Sequence, residues 1–179
     1  METTQTEAPA PTLTSAQIQR FDSEMAVVLS HYPADRKQAA MLPALRLMQD
    51  MLGYLTPDSL RRVATTLEVS PEKTAEVATF YTQFRLSPVG THYIEVCTNL
   101  SCSLRGAEQL VEQIQARLGI GLGESTPDGK FSLREVECLA SCGTAPCLQV
   151  NEEFYETLTP QSLDQLLAKL GSQPGASAR

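Results

Sequence analysis

All five cysteines of this 179-residue chain fall between positions 97 and 147. Grouping this tight is not the scatter expected of cysteines used only as small apolar packing residues. Two pairs stand out. Cys97-Thr98-Asn99-Leu100-Ser101-Cys102 has the spacing C-x4-C, and Cys138-Leu139-Ala140-Ser141-Cys142 has C-x3-C. The N-terminus lacks the basic-then-apolar order of a secretory signal, and Glu2 and Glu7 precede the first basic residue, Arg20, unlike a transit peptide. The thiols are therefore expected to be reduced, and metal or cluster ligation becomes the leading explanation.

The pattern around the cysteines predicts how they meet. Thr91 to Val96 reads as a strand, followed by a helix whose stripe Leu104, Ala107, Val111, Ile114 and Leu118 ends at Gly119. Phe131 to Glu137 alternates as a second strand. A hairpin follows at Cys147–Asn151 and Phe154–Thr157, and a last helix starts at Thr159–Pro160 with Leu163, Leu166, Leu167 and Leu170 inside. The order is βαββα. A right-handed crossover makes the first two strands parallel, so Cys97 and Cys138 leave the same edge of the sheet. Four thiolates from two loops suit a 2Fe–2S cluster. The helix beginning after Ser101 is expected to aim amide donors at it, with Gly106 and Gly143 easing close backbone approach.

Other readings of the cysteines are weaker. Structural zinc accepts four cysteines but usually shows C-x2-C knuckles. A dithiol oxidoreductase needs C-x-x-C at the first strand–helix junction, which C-x4-C does not provide. Cys147 falls in an expected strand after Ala145–Pro146, where it reads as a packing residue rather than a ligand. His31 and His92 lie outside both cysteine pairs and read as packing or surface residues, not as ligands of a mixed centre. Gly119-Ile120-Gly121-Leu122-Gly123 follows a helix and has Glu124 where a dinucleotide fingerprint needs glycine, so a loop is expected.

The rest of the chain looks different. Residues 1–13 read as a disordered arm rich in threonine, proline and alanine, and residues 172–179 as a flexible tail. Residues 14–89 read as a helical bundle. Its first helix is capped near Thr14 or Ser15 and carries Ile18, Phe21, Met25 and Val28, with Tyr32–Pro33 at its end. A second carries Met41, Leu45, Met48 and Leu52 and stops near Gly53, with Pro43 starting or kinking it. Thr56–Pro57 and Ser70–Pro71 begin two more, which bury Leu60, Val63 and Leu67, then Val77 and Tyr81. Phe80, Tyr81 and Phe84 are expected in the core rather than as a stacking platform. Periodicity changes near Pro88–Gly90, where a second domain, residues 90–171, is expected to begin.

A net charge of −7 argues against a nucleic-acid partner. No apolar run approaches the length of a membrane span, so a cytoplasmic location is expected, with no direct membrane insertion. No nucleophile–base pair or phosphate loop is evident, so the chain is expected to carry electrons rather than make bonds.

Together, Phe80-Tyr81, Pro88-Val89-Gly90, the C-x4-C pair, Arg105-Gly106-Ala107, Cys138-Leu139-Ala140-Ser141-Cys142, Ala145-Pro146 and Val150-Asn151 resemble the thioredoxin-like 2Fe–2S subunit of the NADH dehydrogenase module of respiratory complex I. The likeness runs from about Ala16 to Leu170. Similar chains occur in NAD-linked hydrogenases and formate dehydrogenases. The resemblance implies an α/β protein, an N-terminal helical bundle followed by a thioredoxin-like ferredoxin domain, with Cys97, Cys102, Cys138 and Cys142 as ligands. It implies a partner flavoprotein subunit holding FMN and the NADH site, and further iron–sulfur subunits in a complex peripheral to the inner membrane. In relatives the cluster lies beside the flavin and off the main path to quinone, which implies a one-electron store. Cys147 departs from the aliphatic residue usual in the family after Ala-Pro.

Overall fold

The computed structural model describes residues 12–173. Of the expected arm, residues 1–13, and tail, residues 172–179, only 1–11 and 174–179 lie outside the described residues; Leu13 packs on the first unit and Ser172 ends the last helix. The chain divides into two compact units, with the division between Pro88 and Val89.

In the first unit, helices α1 (Ser15–Leu29), α2 (Met41–Leu52), α3 (Pro57–Leu67) and α4 (Pro71–Phe80) surround one apolar core. Local chemistry sets their ends. Thr14 and Thr56 each accept a hydrogen bond from the amide three residues on, and the side chains of Gln17 and Ser59 in turn accept one from the cap's own amide. Each such cap contributes about 1 kcal/mol. Ser70 caps α4, and proline occupies the first turn of both α3 and α4, where its missing N–H costs nothing. Gly53 closes α2 at φ +83°. Pro43 lies in the first turn of α2 and starts the helix rather than kinking it. Phe21, Met25, Leu45, Met48, Val63 and Leu67 fill the core, and Leu13 packs against it with its amide donating to Asp58 at 3.0 Å.

Three expectations need correction in this unit. Residues Ala34–Ala40, where the periodicity predicts no element, form a 3₁₀ segment interrupted at Arg36. The first helix ends at Leu29, three residues before Tyr32. Phe80 and Tyr81 are not core residues: they are 76% and 40% exposed, while Phe84 is buried. The cause is local. Tyr81 has extended backbone, so α4 stops at Phe80 and the helical spacing that linked the three aromatics ends with it.

The second unit is a four-stranded sheet of β1 (His92–Cys97), β2 (Phe131–Val136), β3 (Leu148–Val150) and β4 (Glu153–Tyr155) in the order β2-β1-β3-β4. As expected, β1 and β2 run parallel, with Ile94 opposite Leu133 and Cys97 opposite Val136. The closing hairpin is antiparallel, and β3 also pairs antiparallel with β1. Between the parallel strands lie α5 (Leu100–Ser103) and α6 (Ala107–Leu118), and α7 (Pro160–Ser172) follows the hairpin with Thr159 as its cap. Ile94, Val96, Leu110, Ile114, Leu133, Leu148, Leu163 and Leu167 form the core between sheet and helices. Glu95 and Arg134, cross-strand neighbours, form an ion pair at 2.9 Å. Gly119–Gly123 is a loop, and His92 is buried with its ring 5.2 Å from that of Phe131.

One expected helix is two. Gly106 sits at φ +91° and breaks the run between α5 and α6, a conformation that side-chain-bearing residues rarely adopt. Leu104 therefore leaves the apolar stripe and is 78% exposed. Gly106 serves this break, and a Cβ there would crowd only the far end of the Gln109 side chain, while a Cβ on Gly143 would meet nothing within 4 Å.

At Gly90 it is backbone that leaves no room. A Cβ there would lie 2.7 Å from the Phe131 carbonyl carbon and 2.8 Å from its nitrogen, and the Gly90 amide donates to Ser132 Oγ at 2.6 Å. Gly90→Ala should therefore cost about 1–3 kcal/mol through forced backbone shifts at the start of β2. A denaturant midpoint equal to that of the unaltered chain would show that this edge yields freely.

Candidate metal centre

The site is assembled by the parallel pairing of β1 and β2. Cys97 ends β1 opposite Val136, and Cys138 stands two residues beyond Val136, so both loops emerge at one edge of the sheet. The Cys97 Sγ lies 4.0 Å from the Glu137 carbonyl, next to Cys138 in the chain. After β1 the chain turns at Asn99, whose side chain accepts from the Leu100 amide at 2.8 Å and starts the single turn of α5. That turn carries Cys102 inward. The helix thus begins at Leu100 and holds the second cysteine within it, rather than starting after Ser101.

Cys97 and Cys102 are 3% and 2% exposed, in a small apolar cluster with Ala107, Ala145 and Cys147, against which Leu139 packs. Burial pushes the Cys97 thiol up, but backbone amides at Asn99 and Leu139, together with the Cys102 and Cys147 thiols, hold it below its ordinary value. One amide comes from each loop. Burial raises the Cys102 thiol.

The second loop is exposed at both of its cysteines. Cys138 Sγ accepts from the Ala140 amide at 3.2 Å, with Ala140 at φ +60°. A short 3₁₀ turn, Cys142–Thr144, follows, and the Thr144 carbonyl accepts from the Thr157 amide at 2.7 Å. The loop is thereby tied to the segment that leads into α7.

The structure brings Cys97 and Cys102 together with Cys147, their sulfurs all within 4.8 Å of one another. Cys138 and Cys142 are not part of that group. Cys147 is fully buried, with its sulfur 3.8 Å from that of Cys102. It precedes β3 instead of lying within it, yet its carbonyl accepts from the Cys97 amide at 3.2 Å and continues the β1–β3 ladder by one rung. Burial, with Cys102 beside it, pushes the Cys147 thiol up to about 12. The expectation of a packing residue captured its burial and missed its neighbours. No signal along the sequence joins Cys147 to Cys97, because the link is a strand pairing between residues fifty apart.

A 2Fe–2S group fits this donor set. Soft thiols from two loops share one sheet edge, and amide donors from both loops already point at a sulfur, the arrangement that stabilises an anionic thiolate-bound cluster.

Comparison with known proteins agrees with the chemistry. Residues 25–171 match the family described as thioredoxin-like [2Fe-2S] ferredoxin. The chain is 44% identical over 140 residues to NADH-quinone oxidoreductase subunit 2 of Thermus thermophilus, covering 78% of this chain and 77% of that one. It is 42% identical over 144 residues to an NADH-quinone oxidoreductase subunit of Rickettsia bellii, covering 80% and 86%. In fold it is similar to an NAD+-reducing [NiFe]-hydrogenase in the air-oxidised state, with a TM-score of 0.65 at 22% identity over 74% of this chain. The chain spans about a quarter of that hydrogenase chain, 23% of its length.

Proposed function

We propose, from the premise that this chain belongs to the thioredoxin-like [2Fe-2S] ferredoxin family, that it is the electron-carrying subunit of an NADH:quinone oxidoreductase. The observation that carries the reading is the parallel β1–β2 register, which delivers both cysteine pairs to one edge of the sheet. Cys97, Cys102, Cys138 and Cys142 would hold the cluster. A bound 2Fe–2S cluster supplies one-electron transfer. The chain's own residues prepare the place for it: α5 turns Cys102 inward, Asn99 and Leu139 amides address the Cys97 sulfur, and Ala107 and Ala145 keep water from the buried side.

The partners in this reading are a flavoprotein subunit carrying FMN and the NADH site, and further iron–sulfur subunits of the same complex. A dinucleotide site on this chain has no support in the sequence, and hydride chemistry belongs with the flavin. We assign residues 14–89 as a helical bundle that docks and residues 90–171 as the cluster-bearing domain. Phe80, Tyr81 and Leu86, all large and exposed, support docking by the first. No helix among the described residues is long and apolar enough to cross a membrane, and attachment at the inner membrane would come through the complex. An equivalent role in an NAD-linked hydrogenase or formate dehydrogenase is the alternative. The sequence relatives named as NADH-quinone oxidoreductase subunits, at 42–44% identity, favour the main reading.

Anaerobic purification of the tagged full-length chain from its source cells should yield reddish-brown material together with an FMN-bearing polypeptide. A colourless chain carrying zinc and no flavoprotein would reject the proposal. In the same assay Phe80→Ser/Tyr81→Ser should leave folding within about 0.5 kcal/mol, as exposed positions do, and weaken capture of the flavoprotein by about thirtyfold, the effect of losing an aromatic anchor. Undiminished capture would remove the docking role from these residues.

A further inference from the structure

Cys147 has no part in the proposed cluster, yet it lies closer to that chemistry than any packing role requires. Its sulfur is 3.8 Å from Cys102 Sγ, and Cys97, Cys102 and Cys147 all lie within 4.8 Å of one another. Three sulfurs bound at about 2.3 Å to one metal in a plane stand about 4 Å apart. The observed spacing thus needs movements of less than about 1 Å to become a trigonal site, within what side-chain rotation allows.

The kind of ion follows from the surroundings. Ala107, Ala145 and Leu139 enclose the three thiols, and none offers a side-chain nitrogen or oxygen. Each of the three cysteines is at most 3% exposed, so water has little access as a fourth ligand. Zinc needs four ligands, and magnesium or calcium needs oxygen. A soft ion content with three thiolates is what remains, and copper(I) is the first-row ion of that class.

The geometry points to a second metal site in this chain, in which Cys97, Cys102 and Cys147 bind one copper(I) ion when the cluster is absent. Each thiol gives up its proton to solvent as its sulfur binds, with no change in oxidation state. Cys97 and Cys102 are common to both sites, so copper and cluster exclude one another on the same chain. Copper binding does not depend on the cluster assignment; the exclusion rests on it.

The test is an anaerobic titration of the full-length cluster-free chain with copper(I) against a colorimetric copper(I) chelator. The chain should hold one ion, and X-ray absorption should count three sulfur neighbours. Cys147→Ala should weaken binding by more than about a hundredfold, beyond the loss typical of removing a residue that only supports a ligand. Cys138→Ser/Cys142→Ser should change it by less than about threefold, since both positions are exposed and outside the thiol group. That double variant alters no buried residue, so its result stands even if Cys147→Ala fails to fold. Loss of copper in the double variant, or a count of two sulfurs, would overturn the site. The cluster-loaded chain should take up no copper(I) while it keeps its iron. If the cluster-free chain binds copper as described and the cluster-loaded chain also binds it with iron fully retained, the copper site stands and the assignment of Cys97 and Cys102 to the cluster falls.

Discussion

Cys138→Ser and Cys142→Ser, made separately, should each leave the anaerobically purified chain nearly free of iron and without the paramagnetic signal of a reduced cluster. Each removes one of the four thiolates proposed as ligands, and a serine oxygen is a harder, poorer ligand for iron in this setting. These two positions give the cleanest test because both are exposed, so neither change opens a cavity or strands a buried polar group. Circular dichroism should be unchanged while iron is lost. Cys97→Ser and Cys102→Ser should also destroy or strongly alter the cluster, but those sites are buried with the Cys147 sulfur nearby, so either change also disturbs the packed thiol group. Cys147→Ala is the control, and it should keep its iron. Iron retained in both exposed-loop variants but lost in Cys147→Ala would move the ligand set onto the buried trio.

NADH alone should leave the cluster-loaded chain oxidised, and adding the FMN-bearing subunit should allow its reduction. Hydride delivers two electrons together, whereas this chain is proposed to accept one at a time, so a flavin is required between them. The loop Gly119–Gly123, a glycine-rich stretch that resembles a nucleotide motif, follows α6 rather than opening a helix after a strand, and so does not cradle a pyrophosphate. The experiment follows visible absorption and the paramagnetic signal under strict anaerobiosis, with dithionite establishing that the cluster can be reduced. Prompt bleaching by NADH with no partner present would contradict the proposed division of labour and reveal a cofactor site on this chain.

Much of the fold was legible because its signals are local. Thr14, Thr56, Ser70 and Thr159 act on amides three residues away, and Pro57, Pro71 and Pro160 stand in first turns, so four helix starts could be read from short stretches of sequence. The alternation in Phe131–Val136 and the following hairpin were equally local. Even the parallel pairing of β1 and β2 was accessible, since the handedness of a strand–helix–strand crossover leaves little choice. That pairing alone places Cys97 and Cys138 at one sheet edge.

Other features depended on where a local rule stopped. Helical spacing put Phe80, Tyr81 and Phe84 together, but the extended backbone at Tyr81 ends the spacing and leaves two of the three aromatics exposed. The stripe through Leu104 and Ala107 looked continuous, and the left-handed backbone of Gly106 turns Leu104 out of it.

The cysteine pattern by itself placed two thiol pairs in two loops that follow parallel strands, since spacing and strand order are properties of the chain alone. Only the tertiary structure decided which sulfurs are neighbours. Cys147 joins Cys97 through an antiparallel pairing of β1 with β3, and Cys102 through the inward turn of α5, while local hydrogen bonds hold Cys138 in the exposed loop. Such contacts arise because burying the two faces of one sheet forces distant segments into register, and no short window of sequence contains both sides of that register.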